Sequence, residues 1–282
     1  MDQITTRGLT FDVYAAGPPD GEPVLLLHGF PQDRREFAGL LPKLHKAGMR
    51  TYVYDQRGYA PGARPADVGD YRLTEAVADA VAVLDALGLN AVHVVGHDWG
   101  AQVGWRLAAD HPERVLSLTA VSLPHPEALA RAVKKHGVQR LRLAYTALLR
   151  SRAGEGLARL LMQQLLRRLG VRGLPYVRAM RDRRRLTAAL NWYRALDDPR
   201  VPVIGPVGVP TTFVWGTRDF VVGRAAAEST ADLVDEDYRF VTLRRVGHWV
   251  PEEAPGPLLE AIVDRVRKGA REEHRGGLAS GR

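Results

Sequence analysis

Between Val24 and Leu123 short apolar runs alternate with helical stretches, and few folds are open to a chain built this way. The runs are VLLLHG (24–29), TYVYD (51–55), AVHVVG (91–96) and VLSLTAVSL (115–123). Three of them are apolar on nearly every residue, the pattern of parallel strands covered on both faces. A stretch from Leu73 to Leu87 has Thr74 as its expected N-cap and Gly88 just past its last apolar turn, and so reads as a crossover helix. The rhythm predicts repeated βαβ units and a mostly parallel central sheet with helices on both faces. It resumes with TTFVWG (211–216), a helix around 225–234, YRFVTL (238–243) and a last amphipathic helix over about 257–267.

The interruption carries the charge. Residues 127–205 hold 18 Lys and Arg against 5 Asp and Glu, a net of +13, while the rest of the chain carries −5. This segment reads as Arg- and Leu-rich helices broken at Gly137, Gly154, Gly170, Gly173 and Pro175, that is, a helical cap inserted into the sheet. The expected organisation is a first core part (1–126), the cap (127–205), a second core part (206–268) entered through the linker VPVIGPVGVP, and a polar tail (269–282) disordered by composition. The run from Arg181 through Asp182 to Arg185 is expected to be a solvated helix face, with Arg stems covering apolar surface. No aromatic-interleaved basic motif or zinc-finger spacing accompanies it, so nucleic acid is not an expected partner. With 45% hydrophobic residues, 282 residues suffice for one large domain carrying an insertion. The chain has no cysteine, which excludes disulfides, a Cys-rich zinc site and a thiol nucleophile. The polar N-terminus lacks a signal-peptide core and no apolar run reaches membrane-span length, so the expected location is cytoplasmic.

Gly96-His97-Asp98-Trp99-Gly100 follows a buried-looking strand and opens a helix, which is the context of a nucleophile elbow. Asp98 in such a place could equally be a helix N-cap, and other residues must decide. His28-Gly29-Phe30-Pro31 after the neighbouring strand can aim the Phe30 backbone N–H at the same point, and with the Trp99 N–H it makes a two-donor oxyanion hole. His28 itself is expected to be structural. Trp215-Gly216-Thr217-Arg218-Asp219 ends the strand that restarts the sheet, and Gly247-His248-Trp249 follows the last strand. The order nucleophile, acid, histidine is that of hydrolases with a strand–turn–helix nucleophile. His97, next to Asp98, should point away from it. A carboxylate attacking a carbonyl would give an anhydride, whereas attack on an sp3 carbon gives an ordinary ester. His248, oriented by Asp219, could then direct water onto that ester. A halide and the oxygen of a strained epoxide both fit as leaving groups.

With HGFPQD, DQRGYAPGARP, VGHDWGAQVGW, ALNWYRA, WGTRD and VGHW in view, the chain resembles the α/β-hydrolase-fold epoxide hydrolases over about residues 8–267. The resemblance implies an α/β-hydrolase fold with an inserted helical cap, and an epoxide opened to a diol through an ester on Asp98. It also implies two cap tyrosines that hold and protonate the epoxide oxygen. One is Tyr193, in Asn191-Trp192-Tyr193-Arg194; the other falls in LRLAYTALLR and points to Tyr145, with a spacing one or two residues longer than the family pattern. Haloalkane dehalogenases share the Asp-Trp pair but commonly have Asn where this chain has Phe30, and they are the alternative reading beside a non-catalytic binding protein. The expected partners are a small-molecule epoxide and water; no cofactor or metal is called for, and a homodimer is as open as a monomer.

Overall fold

The computed structural model describes residues 2–151, 154–157, 174–196 and 198–279. Their eight-stranded sheet runs, in spatial order, β1 (Asp2–Thr6), β2 (Leu9–Ala16), β4 (Met49–Tyr54), β3 (Glu22–Leu27), β5 (Val92–His97), β6 (Val115–Val121), β7 (Thr211–Gly216) and β8 (Tyr238–Leu243). From β4 to β8 every pairing is parallel. The six expected apolar runs are the six parallel strands, shifted by no more than two residues at most ends. Alternate residues feed two cores: Leu25, Leu27 and Val94 point to one face, Val24, Leu26 and Val95 to the other. Helices Leu73–Ala86 and Trp99–Asp110 cover the first face, and Leu41–Lys46 and Pro255–Ala279 the second. Each fully buried Leu or Val contributes about 1.5–3 kcal/mol relative to exposure, which is why the strands tolerate no polar alternation.

The sheet also has two strands that patterning did not assign. β1 and β2 pair antiparallel around Arg7 and Gly8, both at positive φ (51° and 74°), and β2 joins the sheet antiparallel to β4. Only Phe11 and Val13 of this hairpin reach full burial, so it offers a weak apolar signal at the sheet's edge. The helix after β4 begins at Leu73 with Arg72 in extended conformation as its cap residue and no side-chain cap bond, so Thr74 falls inside its first turn. Gly88, at φ 69°, ends it as expected. The segment expected as a helix over 225–234 splits into a helix, Arg224–Glu228, and a 3-10 turn, Ser229–Leu233.

The chain leaves the sheet after β6 and returns at β7, and between them lie the helices Pro126–Lys135, Gly137–Arg142, Tyr145–Arg150, Leu174–Ala179 and Arg183–Arg194. Gly137 opens a helix and Gly154 a short helical stretch over 154–157, whereas Pro175 sits in the first turn of its helix; Gly170 and Gly173 lie outside the described residues. The last helix continues to Ala279 through the stretch expected as a tail, carried by good helix formers in KGAREEH; 280–282 lie outside the described residues. Among the described residues no helix is long and apolar enough to cross a membrane.

β3 lies between β4 and β5, so the connections from its two neighbours leave in opposite directions. A crevice opens at such a switch point, at the carboxyl ends of the strands. Here those ends are the turn after Leu27 and the turn at Asp98. Their closeness depends on glycine: a Cβ on Gly100 would strike the Leu27 carbonyl, whereas one on Gly39 would meet nothing. Gly100→Ala should therefore lower the free energy of unfolding by about 1–3 kcal/mol in urea titrations. Gly39→Ala should change it by no more than about 1 kcal/mol and in the stabilising direction.

Candidate active site

β5 ends in Gly96-His97, and the chain turns into the helix Trp99–Asp110 with Asp98 at φ 52°, ψ −119°. A non-glycine residue in this region carries strain of about 1–3 kcal/mol, held by its surroundings. Those surroundings are tight. A Cβ on Gly96 would run into the Gly100 carbonyl, and one on Gly29 would come within 2.5 Å of the Asp98 Cβ. Asp98 stands at the N-cap position, yet its side chain makes no cap hydrogen bond. Its Oδ1 accepts the Phe30 N–H at 3.0 Å, and its Oδ2 lies 3.0 Å from Nε2 of His248. Geometry thus decides against the helix-cap alternative. The Trp99 N–H, first of the helix, has no partner within it by construction and belongs to the same end of the helix.

The acid and the histidine meet from two further strand ends. Asp219 Oδ2 is 2.8 Å from His248 Nδ1, while Oδ1 accepts the N–H groups of Val221 and Val222 at 2.7 and 2.9 Å. Asp98, Asp219 and His248 are all buried, at 6%, 3% and 3% exposure, so each charge must be matched by a partner. Burial opposes a charged imidazole, but Asp219 and then Asp98 outweigh it and raise the His248 pKa to about 10. Burial likewise opposes the Asp98 carboxylate, and His248 with the Phe30 N–H overcomes that and lowers its pKa. His248 is thus held toward its protonated form between the two carboxylates.

Tyr193 is buried on helix Arg183–Arg194, its ring edge-on to Phe30 (5.3 Å) and Trp99 (5.2 Å). Tyr145 starts helix Tyr145–Arg150, with its ring 6.5 Å from Phe220, which in turn lies 5.6 Å from His248. Burial pushes both phenols above their ordinary range, and the Asp98 charge adds to it in each case. Tyr145 is 37% exposed as a residue, but its hydroxyl end is deep enough to feel both Asp98 and Asp219. Tyr145 also adds to the upward shift of Tyr193. All seven residues singled out in the sequence therefore converge on one place. Trp192 turns the other way and donates its indole N–H to the Arg57 carbonyl at 2.9 Å.

His28 is structural, accepting the Gln56 N–H on Nε2 at 3.0 Å. His97 points behind the nucleophile, toward Glu36 and the His248 carbonyl. Other residues of the site carried no signal in the sequence. Gln139, 3% exposed in the inserted helix Gly137–Arg142, donates to the Val221 carbonyl and accepts the Gly223 N–H, both at 2.8 Å. Arg142 of the same helix donates to the Asp219 carbonyl at 2.5 Å. The Arg-rich run is solvated at Arg181, Arg183 and Arg184, but Arg185 turns inward, against expectation, to pair with buried Asp33 at 2.8 Å and lie over Tyr59.

This fold has known counterparts. Residues 22–255 match the alpha/beta hydrolase fold family, and the chain belongs to it. It is similar to the AB hydrolase superfamily protein YfhM of Bacillus subtilis, 28% identical over 94% of this chain and 96% of that one. It is also similar to epoxide hydrolase A of Mycobacterium tuberculosis, 29% identical over 93% of this chain and 95% of that one. Among solved structures, novel epoxide hydrolases from metagenomes of hot environments superpose with a TM-score of 0.83 at 25% identity, covering 94% of this chain and 97% of theirs.

The ion pair has a pH signature. His248, raised from 6.5 to about 10, contributes stability that is complete below pH 6.5 and is lost as the pH rises through about 10. Asp98, lowered from 3.8, contributes stability above pH 3.8 that is lost as the pH falls. In urea titrations the stability difference between the wild type and His248→Gln should be largest near pH 5–6 and shrink by roughly a few kcal/mol toward pH 10.

Proposed function

We propose that this protein hydrolyses epoxides to vicinal diols through an alkyl ester on Asp98, with residues 127–205 as the cap over the site. The observation that carries the reading is the Asp98 carboxylate, uncapped by its helix, shared between Phe30 N–H and His248, with the buried Tyr193 and the part-exposed Tyr145 within reach of its charge. The relatives named epoxide hydrolases support it.

Oδ1 stays on the Phe30 N–H while Oδ2, which faces His248 Nε2 at 3.0 Å, attacks the ring carbon. As the new C–O bond forms, the strained C–O bond breaks, and Tyr145 and Tyr193 meet the departing oxygen, one of them giving up its proton. Phenols kept above their usual pKa stay protonated donors until an alkoxide, a stronger base, develops beside them. Esterification removes the Asp98 charge, one of the two that hold the proton on His248. The proton released from His248 balances the one the phenol gave up, leaving a neutral imidazole as base. Water then loses a proton to His248 and attacks the ester carbonyl; its oxygen, Oδ1, becomes negative against the Phe30 and Trp99 N–H groups. Collapse breaks the acyl C–O bond and the diol takes the proton from His248; the carboxylic acid left on Asp98 then gives the second water proton to the imidazole, restoring the carboxylate and its imidazolium partner. Asp219 holds the ring through Nδ1 throughout.

Halide release is the poorer fit. The Trp192 N–H is spent on a backbone carbonyl, and the Trp99 indole has the Tyr193 hydroxyl as its neighbour. A panel of styrene-type, aliphatic and fatty-acid epoxides beside halogenated analogues tests substrate class directly. With an epoxide that turns over, Tyr145→Phe and Tyr193→Phe should each slow ring opening by about 10²–10⁴-fold. Single turnover in ¹⁸O-water should label Asp98 before the diol, and His248→Gln should accumulate the ester. A diol labelled in the first turnover, or halide release that survives in both Phe variants, overturns the reading.

A further inference from the structure

The chemistry above leaves one buried ionisable pair unused. Glu36 and His97 are fully inaccessible behind the nucleophile, with Glu36 on the 3-10 turn Arg34–Phe37 and His97 one residue before Asp98. One carboxyl oxygen of Glu36 accepts the Gly29 N–H at 3.2 Å, and the other is 3.0 Å from His97 Nδ1. His97 Nε2 is 3.0 Å from the carbonyl oxygen of His248. A carbonyl oxygen only accepts, so Nε2 carries a hydrogen, and Nδ1 and Glu36 share a single proton between them. Whichever atom holds it, the pair is neutral overall, as a site this close to Asp98 and Glu252 requires. Burial pushes the Glu36 carboxyl up to about 7, and Glu36 in turn raises His97 against its own burial, so both partners favour keeping that proton.

The bonds join two pieces of the hydrolytic machinery that are far apart in sequence. Gly29 precedes Phe30, whose N–H serves the ester oxygen, and it lies so close to the Asp98 side chain that no Cβ would fit between them. The His248 carbonyl, which also accepts the Ser122 hydroxyl at 2.5 Å, fixes the backbone from which the base projects. We propose that Glu36 and His97 are positioning residues that set the distance between the oxyanion donor and the base, and so act on hydrolysis of the Asp98 ester. The inference rests on the alkyl-ester reading above. Attack on the ring needs only the carboxylate and the phenols, whereas hydrolysis needs the Phe30 N–H and His248 in register at once.

Three substitutions of one residue separate position from bulk structure. In Glu36→Gln the amide oxygen accepts the Gly29 N–H and its NH₂ donates to a neutral His97, so both links survive. Glu36→Ala has neither link, and the shorter Glu36→Asp cannot span both. Alkyl-Asp98 is followed by rapid quench and mass spectrometry during single turnover of an epoxide. Hydrolysis should slow on the order of 10- to 100-fold in the Ala and Asp variants, with ester formation and the Gln variant both within about threefold of wild type. In steady state kcat and KM should then fall together for Ala and Asp, as the ester accumulates. Should the Ala variant not fold, the Asp variant carries the test. Unchanged hydrolysis in Ala and Asp, equal slowing of both half-reactions, or a Gln variant as slow as Ala overturns the inference. A wild type that never forms alkyl-Asp98 overturns the underlying reading instead.

Discussion

The site depends on how closely β3, β5 and the helix after β5 approach one another at a single corner of the sheet. Gly29, Gly96 and Gly100 are each in contact with the backbone or Cβ of another segment, and Asp98 is held at positive φ between them. A strained residue of this kind survives only when its neighbours over-determine it. The same crowding buries the carboxylate, and a buried carboxylate without donors would be neutral or would unfold the corner. The Phe30 N–H, the positive end of a 12-residue helix and His248 are thus requirements of burial before they are features of a reaction.

The inserted helices are part of that frame. Gln139 and Arg142 hold the loop Asp219–Gly223 from above, through its carbonyls and the Gly223 N–H. Trp192 rests on Arg57, whose guanidinium makes two bonds of 2.7 Å to buried Asp79 beneath. Arg185 reaches Asp33, the residue that also binds Arg35 and caps the turn containing Glu36. Shifting the insertion as a body would therefore disturb the Asp219 loop, the tyrosines and the turn at Phe30 together.

Much of this could be read in the chain. Continuous apolar runs marked the six parallel strands, because a strand covered on both faces can carry almost nothing else. The positions of Asp98, Asp219 and His248 were legible because each follows such a strand with a glycine one to three residues before it, a pairing that marks a tight turn at a strand's end. Phe30 and Trp99 followed from the same turns, since their contribution is backbone. Tyr145 and Tyr193 came through resemblance, and an ordinary amphipathic helix would have accounted for either. The β1–β2 hairpin escaped because only one of its faces is buried. Thr74 misled because Arg72, extended without a cap bond, starts the helix a turn position earlier.

Gln139, Glu36, Arg142 and Arg185 were illegible for one physical reason. Each is a polar residue on a helical segment that the sequence can only describe as solvated, and each is made structural by a partner far away in the chain. By itself the sequence determined the sheet, the corner where the chemistry sits and the residue types meeting there, because hydrophobic period and glycine turns are local properties. Only the tertiary structure decided which charges are buried, which nitrogen of each histidine faces which oxygen, and how the insertion grips the core. Those follow from distances between segments, and no local pattern encodes a distance.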